Sequence, residues 1–600
     1  MRESKTATVP LTIAAITGGF WRRMYEKTPS ASYLGLSGEG VATLRLECAE
    51  SSTLLVQIEC RVREAGNLNW QVFIAPRYGA WRRLSGMNAD QQSQHQSFDW
   101  SPETELAVKP GRYRIVLQAS SKSGADIRRM RVKSNNGHCF LDPTPSLHLD
   151  GLLSGSVGTR SENSLVTDSA AGATAFSTGH RTNNRYIAEL PEMVSGGEPV
   201  GTILEGAEAA GLWTGLVTTT TISHATPAAF SAHTPNRGDE ELIAWQQLHQ
   251  NINVLFGGGD EKFSSSDRKD GRDLLQEAKG LGYQLLSSAY DLRKIAAEPK
   301  KGGLDPPRLL GLFSRGHLPY TLDSHPSVPT LREMTEVALQ TLAPSSREGR
   351  GLFLMVEGGR IDHAGHANDA PAAAQEALAF DDAVGEALRF VSKREDALLV
   401  VTADHETGGL SVGCCNVYGA NLTSLRAATR SSATIAREIF AAARAVRRGN
   451  SSTADTRESV STIVAKYTGG LILPGSEIEK LAHTANYFAN EVVTKRGECQ
   501  GDSRDEFCGD LMMKLDGGNT LQYYLASILA HHAYNIGFTS HGHTAVDVPL
   551  YSAGAEGALQ PGFWENDELG RALEEILHVD TAAGYRRAKA RMTAAGVPLQ

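Results

Sequence analysis

Six hundred residues at 41% hydrophobic content exceed one ordinary core and suit two or three structural units. A formal net charge of -9 and a pI near 6.1 leave no basic footprint, which argues against nucleic acid as a partner and for small-molecule chemistry. Seven cysteines (Cys48, Cys60, Cys139, Cys414, Cys415, Cys499, Cys508) are odd in number and sparse, which excludes a disulfide framework of the small secreted kind.

The chain opens with the charged Met1-Arg-Glu-Ser-Lys5 and a modestly apolar stretch, Thr6 to Gly19, with no evident small-x-small cleavage site and with Pro10 interrupting it. Nothing reaches the ~18 apolar residues of a membrane span, so no transmembrane segment is expected. From Val41 to Ser134 apolar residues recur with period two: Leu44, Leu46 and Cys48; Leu54, Val56, Ile58, Cys60 and Val62; Trp70, Val72 and Ile74; Tyr113, Ile115 and Leu117; Met130 and Val132. The pattern predicts a β-rich accessory module, sandwich-like, over residues 1–137. Lys109-Pro-Gly-Arg-Tyr-Arg-Ile-Val-Leu117 resembles strands of accessory modules that sometimes bind sugars, so a carbohydrate ligand is one role for it; Trp70 and Trp81 serve equally well as core residues.

After Pro143 the character changes. Ala/Gly-rich helical stretches alternate with short apolar runs such as Leu352-Phe-Leu-Met-Val356 and Ala397-Leu-Leu-Val-Val-Thr402, each followed by acidic residues or histidines. The prediction is an α/β unit over 145–600, with a central, mostly parallel sheet flanked by helices and a site at the strand C-termini. Residues 409–538 read as an insertion, with helices over Ala433 to Val446, Ser476 to Lys495 and Leu521 to His532. Cys499 and Cys508 bracket a polar loop in it and could pair outside the cytosol, the setting in which the sequons at Asn421 and Asn450 would be used.

Three clusters carry chemistry. Asp168-Ser169 precedes the Ala-rich run Ala170 to Ser177, which places Ser169 at a helix N-terminus, where free N–H groups favour an attacking alkoxide and a phosphorylated product; a capping serine is the plain alternative. Glu357-Gly-Gly-Arg-Ile-Asp362-His363-Ala-Gly-His366 supplies two carboxylates and two histidines, with Asp362 and His366 four apart on one helical face and so able to meet one metal. Thr402-Ala-Asp404-His405 follows the next apolar run, and His543 adds a nitrogen near the C-terminus. Two zinc-type ions about 4 Å apart would activate a serine and stabilise both oxygens of an in-line displacement.

The segment Val166-Thr-Asp-Ser-Ala-Ala-Gly-Ala-Thr174 resembles the active-site pattern of the alkaline phosphatase family, and the other clusters fall in that family's order from about Leu147 to Val579. The resemblance implies hydrolysis of small phosphate monoesters through a phosphoserine intermediate on Ser169. It implies a first zinc on Asp362, His366 and His543, a second on Asp404 and His405, and a magnesium on Glu357 and Thr226, with His224 and His363 as neighbours of that third position. Arg237 would grip phosphate oxygens and Asp168 would orient it. A homodimer and an extracellular or secretory setting are further implications. Arg181-Thr-Asn-Asn184 receives no role. Ser169 is not in the Cys/Ser-x-Pro-x-Arg context of sulfatases, which leaves a sulfatase or diesterase as the lesser reading.

The chain departs from the family in one respect. A strand ahead of the serine motif should end in Gly-Asp-Gly, its aspartate bridging the second zinc and the magnesium, and no such motif is present. Either Tyr113 to Leu117 belongs to the β-module and the catalytic unit has lost its first strand, or it is that strand, with Ser120 or Ser121 replacing the carboxylate. The alternating pattern favours the first. Asp142 and Asp150 are nearer Ser169 but follow no strand run. A hydroxyl substitutes poorly for an anion shared by two cations, so an impaired relative that binds metal, phosphate or a protein partner is the alternative function.

Overall fold

The computed structural model describes residues 147–191, 197–297, 306–343, 351–414, 417–448, 453–495, 521–555 and 559–598, together with the backbone of strands before residue 142. The chain divides into two units, Met1–Leu153 and Ser154–Gln600.

The N-terminal unit is an antiparallel sheet of ten strands. Its axis is the long strand Gly111–Ser134. Residues 111–121 of that strand pair on one side with Ser32–Cys48 and on the other with Gly66–Pro76, while 125–134 pair with Ser52–Val62. Tyr113 to Leu117 are therefore part of this sheet. Ser120 sits opposite Glu39 and Asn69, and Ser121 opposite Gly38 and Leu68, within the same ladders. The side chains of Trp70 and Trp81, like Asp142, Asn450, Cys499 and Cys508, lie outside the described residues.

The C-terminal unit is α/β, as the alternation of apolar runs and helices predicts. Five parallel strands stand in the order Tyr283–Leu286, Arg308–Leu312, Val254–Gly258, Trp213–Thr221, Leu352–Glu357. A second sheet holds Leu398–Val401, Val548–Gly554, Leu153–Gly158 and Gly562–Glu565 in that order. Inner strands such as Val254–Gly258 are wholly buried and apolar, the signature of a parallel strand covered on both faces. Helix Ala370–Val391 touches the end of one sheet and the edge of the other: its Phe380 stands against Gly358, just past strand Leu352–Glu357, and its Val391 against Gly554 of the second sheet.

The predicted helices of the 409–538 region are present as Ser432–Arg448, Gly475–Lys495 and Leu521–Ile528, the last continuing into a wide helical turn, Leu529–Tyr534. Two more among the described residues, Leu422–Ala427 and Thr453–Tyr467, carry no signal in the sequence reading. They close around Ile439, Val460, Leu481 and Leu525, a core separate from those of the sheets. Asn421, the described sequon, is exposed and caps helix Leu422–Ala427. No helix among the described residues is long and apolar enough to cross a membrane.

Candidate active site

Ser169 is the first residue of helix Ser169–Thr178, and the cap is Asp168, whose Oδ1 accepts from Ala171 N at 3.1 Å. Ser169 is thus free of the capping duty that was its plain alternative. The helix is buried along its whole length because its alanines let neighbours come close: Gly570 of helix Asn566–Leu577 leaves so little room that a Cβ there would lie 2.2 Å from Ala175 O. Ser169 Oγ is 2.9 Å from His405 Nε2, and both residues are buried.

Asp168 does more than cap. Its Oδ2 accepts from Arg237 Nη1 at 2.9 Å, and its Oδ1 also accepts from Arg185 N at 3.0 Å. Asn184, given no role from sequence, accepts from Asp168 N and donates to Val166 O, both at 3.0 Å, which holds the serine loop in place. Arg181 is structural, paired with Glu565 and Asp567.

Strand Leu352–Glu357 runs through Gly358-Gly359 directly into helix Arg360–His366. A Cβ on Gly359 would lie 2.5 Å from Thr220 Cγ2 and 2.9 Å from Glu357 Cδ, so the tight strand-to-helix turn needs glycine there. The helix then presents Asp362 and His366 on one face. A two-residue antiparallel ladder, Glu406–Thr407 against His543–Thr544, brings His543 to them.

These three side chains form a triangle. His366 Nε2 is 3.1 Å from His543 Nε2, and Asp362 Oδ1 is 3.4 Å from each nitrogen. A tetrahedral ion with bonds of about 2.0–2.1 Å requires ligand separations of about 3.4 Å. The tautomers agree: His366 Nδ1 donates to His541 O at 2.6 Å and His543 Nδ1 to Thr167 O at 2.7 Å, which leaves the Nε2 lone pairs facing each other. Two such lone pairs at that distance need a cation or a proton between them. The donor set fits a zinc-type ion.

Asp404 and His405 make the adjoining cluster, His405 Nε2 being 3.2 Å from Asp404 Oδ2 as well as 2.9 Å from Ser169 Oγ. The clusters abut, since Asp362, His405 and His543 offer ligand atoms within 4.8 Å of one another and the His405 and His543 rings stack at 3.5 Å. Thr407, which the sequence reading missed, ties them together: its hydroxyl donates to Asp362 Oδ1 at 2.6 Å and stands 3.2 Å from His405 Nδ1. Burial opposes charge on His405, but Asp404 beside it outweighs this and raises its pKa. Burial likewise opposes charge on Asp362, yet the adjoining imidazoles, His543 first, hold its pKa well below the ordinary carboxylate range.

The third position is built differently. Burial pushes Glu357 up to about 7, although Thr218 donates to its Oε2 at 2.5 Å. Thr226 Oγ1 makes no hydrogen bond of normal length but is near enough to Glu357 to oppose the rise. Around them stand three imidazoles, His224, His363 and the unanticipated His317, with ring centres 4.5–5.5 Å apart. All three are held neutral by burial first, His224 to about 4 and His317 to about 3. The other carboxylates that Glu357 feels, Asp404 and Asp362, belong to the neighbouring clusters. One carboxylate and hydroxyls among neutral imidazoles do not fit the oxygen cage that magnesium requires. Asp150 is no substitute: its Oδ2 accepts from Leu147 N at the turn His148–Gly151.

Comparison with known proteins gives this arrangement a context. The family model described as alkaline phosphatase matches residues 115–579. The repressible alkaline phosphatase of Saccharomyces cerevisiae is 36% identical over 463 residues, 72% of this chain and 76% of the yeast protein. Alkaline phosphatase 3 of Bacillus subtilis is 32% identical over 418 residues, 69% of this chain and 77% of its own. Among solved structures, the cold-active alkaline phosphatase of a psychrophilic Shewanella superposes with a TM-score of 0.57 at 29% identity, covering 73% of this chain and 93% of that one. These are phosphomonoesterases, and the chain belongs to the alkaline phosphatase family.

Proposed function

We propose that the protein hydrolyses phosphate monoesters by double displacement through a phosphoserine on Ser169. The observation that carries this is the position of Ser169 Oγ: at the first turn of a buried helix, 2.9 Å from His405 Nε2, beside the Asp362–His366–His543 triangle. Asp362, His366 and His543 would hold one zinc ion, and Asp404 and His405 a second; bound there, the ions supply Lewis acidity for the attacking and leaving oxygens.

This chain's own groups do the rest. Ser169 Oγ releases its proton to solvent and forms the bond to phosphorus as the ester P–O bond breaks, and the departing oxygen takes a proton from solvent. The open N–H groups at the helix start stabilise charge on the phosphoryl oxygens. Arg237, held by Asp168, has a planar fork suited to two of those oxygens. Water then attacks phosphorus, the P–Oγ bond breaks, and Ser169 recovers its proton.

A second reading rests on the third position. Glu357 without a partner carboxylate supports a relative with weakened metal occupancy and low turnover. Turnover of p-nitrophenyl phosphate with added zinc and magnesium, compared with Ser169→Ala, decides between them. Serine-dependent turnover with a phosphorylated Ser169 peptide after acid quench is the expected result. A folded protein with no serine-dependent turnover establishes the second reading.

A further inference from the structure

His366 is the least covered corner of the Asp362–His366–His543 triangle: its side chain is 30% exposed, against 21% for Asp362 and 12% for His543. It is also the last residue of the short helix Arg360–His366, which gives way to Ala367 and the left-handed Asn368 (φ 57°). The last carbonyls of a helix have no partner within it, so the main chain of this ligand needs support from elsewhere. One residue gives it. His541 O accepts from His366 Nδ1 at 2.6 Å, and His541 Nδ1 donates to His366 O at 2.8 Å. The side chain of each histidine is therefore bonded to the main chain of the other. The first bond fixes the tautomer that leaves Nε2 free for an ion, and the second steadies the helix end that carries the ring.

His541 is positioned in turn from the helical region 409–538. Its ring lies against that of Tyr523, with centroids 5.1 Å apart and planes 11° from parallel, an offset stack. Tyr523 belongs to helix Leu521–Ile528, whose Leu521, Leu525 and Ile528 are buried in the core of Ile439, Val460 and Leu481. From that core the chain runs on through Tyr534 and Ile536, also part of it, to His541 and His543. The loop is laced down at Gly408, whose O accepts from Thr539 N at 3.0 Å and Ser540 N at 3.1 Å and whose N donates to Gly542 O at 2.9 Å. These bonds fix the main chain of His541. The turn of its ring is another matter, since the Asn368 amide is 3.5 Å from Nε2, too far for a firm hydrogen bond. The Tyr523 stack is what holds it. Tyr523 also stands near enough to Asp362 for that carboxylate, after burial, to raise the pKa of its phenol.

We propose that the helical region 409–538 sets the metal affinity of this corner, with Tyr523 and His541 as positioning residues that act through His366. The stack keeps the His541 ring turned so that its Nδ1–H meets His366 O, and the core of the helical region thereby braces the most exposed ligand of the three. The proposal rests on the reading of the triangle as a zinc site.

The test uses the full chain and follows, by chelator competition and elemental analysis, the zinc ion that His543→Ala loses. Tyr523→Phe keeps the ring and should bind that ion as the parent does. Tyr523→Ala and His541→Ala should each bind it about 10- to 100-fold more weakly. Because one residue acts through the other, the double variant should be no weaker than His541→Ala alone. Should Tyr523→Ala not fold, Tyr523→Leu, which fills the space without a ring, takes its place. Tyr524→Ala is the control: Tyr524 packs into the same core from the same helix, so its loss should lower the melting temperature and leave zinc affinity unchanged. Parental affinity without the Tyr523 ring, additive losses in the double variant, or an equal loss in Tyr524→Ala each overturns the proposal, the last because loosening the core anywhere would then suffice. A parent with no ion for His543→Ala to lose overturns the zinc reading and this proposal together, whereas the other three outcomes leave the zinc reading standing.

Discussion

Replacing Asp168 by Asn separates two tasks that one carboxylate performs. Oδ2 receives Arg237 Nη1 at 2.9 Å, and Oδ1 caps the Ser169 helix through Ala171 N at 3.1 Å. Asn caps a helix about as well as Asp, so Asp168→Asn should keep the cap and lose stability only through the bond to Arg237. The charge-assisted bond to Arg237 is lost, and hydrogen bonds to charged groups contribute about 1.5–3 kcal/mol. If the arginine must be held in place to meet phosphate, kcat/KM for p-nitrophenyl phosphate falls by about 10- to 150-fold. Asp168→Ala removes the cap as well and should cost about a further 1 kcal/mol of stability. Steady-state kinetics and thermal unfolding of both variants check this. If Asp168→Asn keeps kcat/KM within about threefold of the parent, or loses as much stability as Asp168→Ala, the assignment of Asp168 to arginine positioning is wrong.

His543→Ala should lower bound zinc by about one ion per chain, because it leaves a triangle of ligands with two corners, whereas Glu357→Gln should leave that ion in place; elemental analysis after dialysis distinguishes them. Thr407→Val removes the hydroxyl that braces Asp362 and His405 and should weaken zinc affinity by about 10- to 100-fold in chelator competition, with little change in melting temperature. Away from the site, the buried His233 donates to Ala188 O and pairs with Glu205 Oε1 at 2.9 Å. Burial opposes its charge, but Glu205 outweighs burial and raises its pKa above the ordinary 6.5. The stability it confers is then fully present below about pH 6.5 and lost as pH rises through the higher folded value. The melting temperature of the parent minus that of His233→Gln should therefore shrink from about pH 6 to pH 9, and a constant difference would refute the linkage.

Local chemistry made much of the site legible in the chain. Asp-Ser before an alanine run has few options but a helix start. Asp362 and His366, four apart after an apolar strand, must share a helical face, and an Asp-His pair after the next apolar run must stand at another strand end. What the sequence could not show was which carboxylate oxygen does what, because Asp168 and Ser169 compete for one cap and only packing decided it. Nor did Thr407, Asn184 or His317 carry a signal: a threonine two residues past a histidine, or an asparagine in a loop, is ordinary until the fold lays it against a ligand. The absent Gly-Asp-Gly was visible as a missing motif. Only the tertiary structure showed that Tyr113 to Leu117 pair within the N-terminal sheet, since strand order is a long-range property: Leu352–Glu357 has the apolar run of an inner strand, yet among the described residues it is the last strand of its sheet, a place decided by residues far away in the chain.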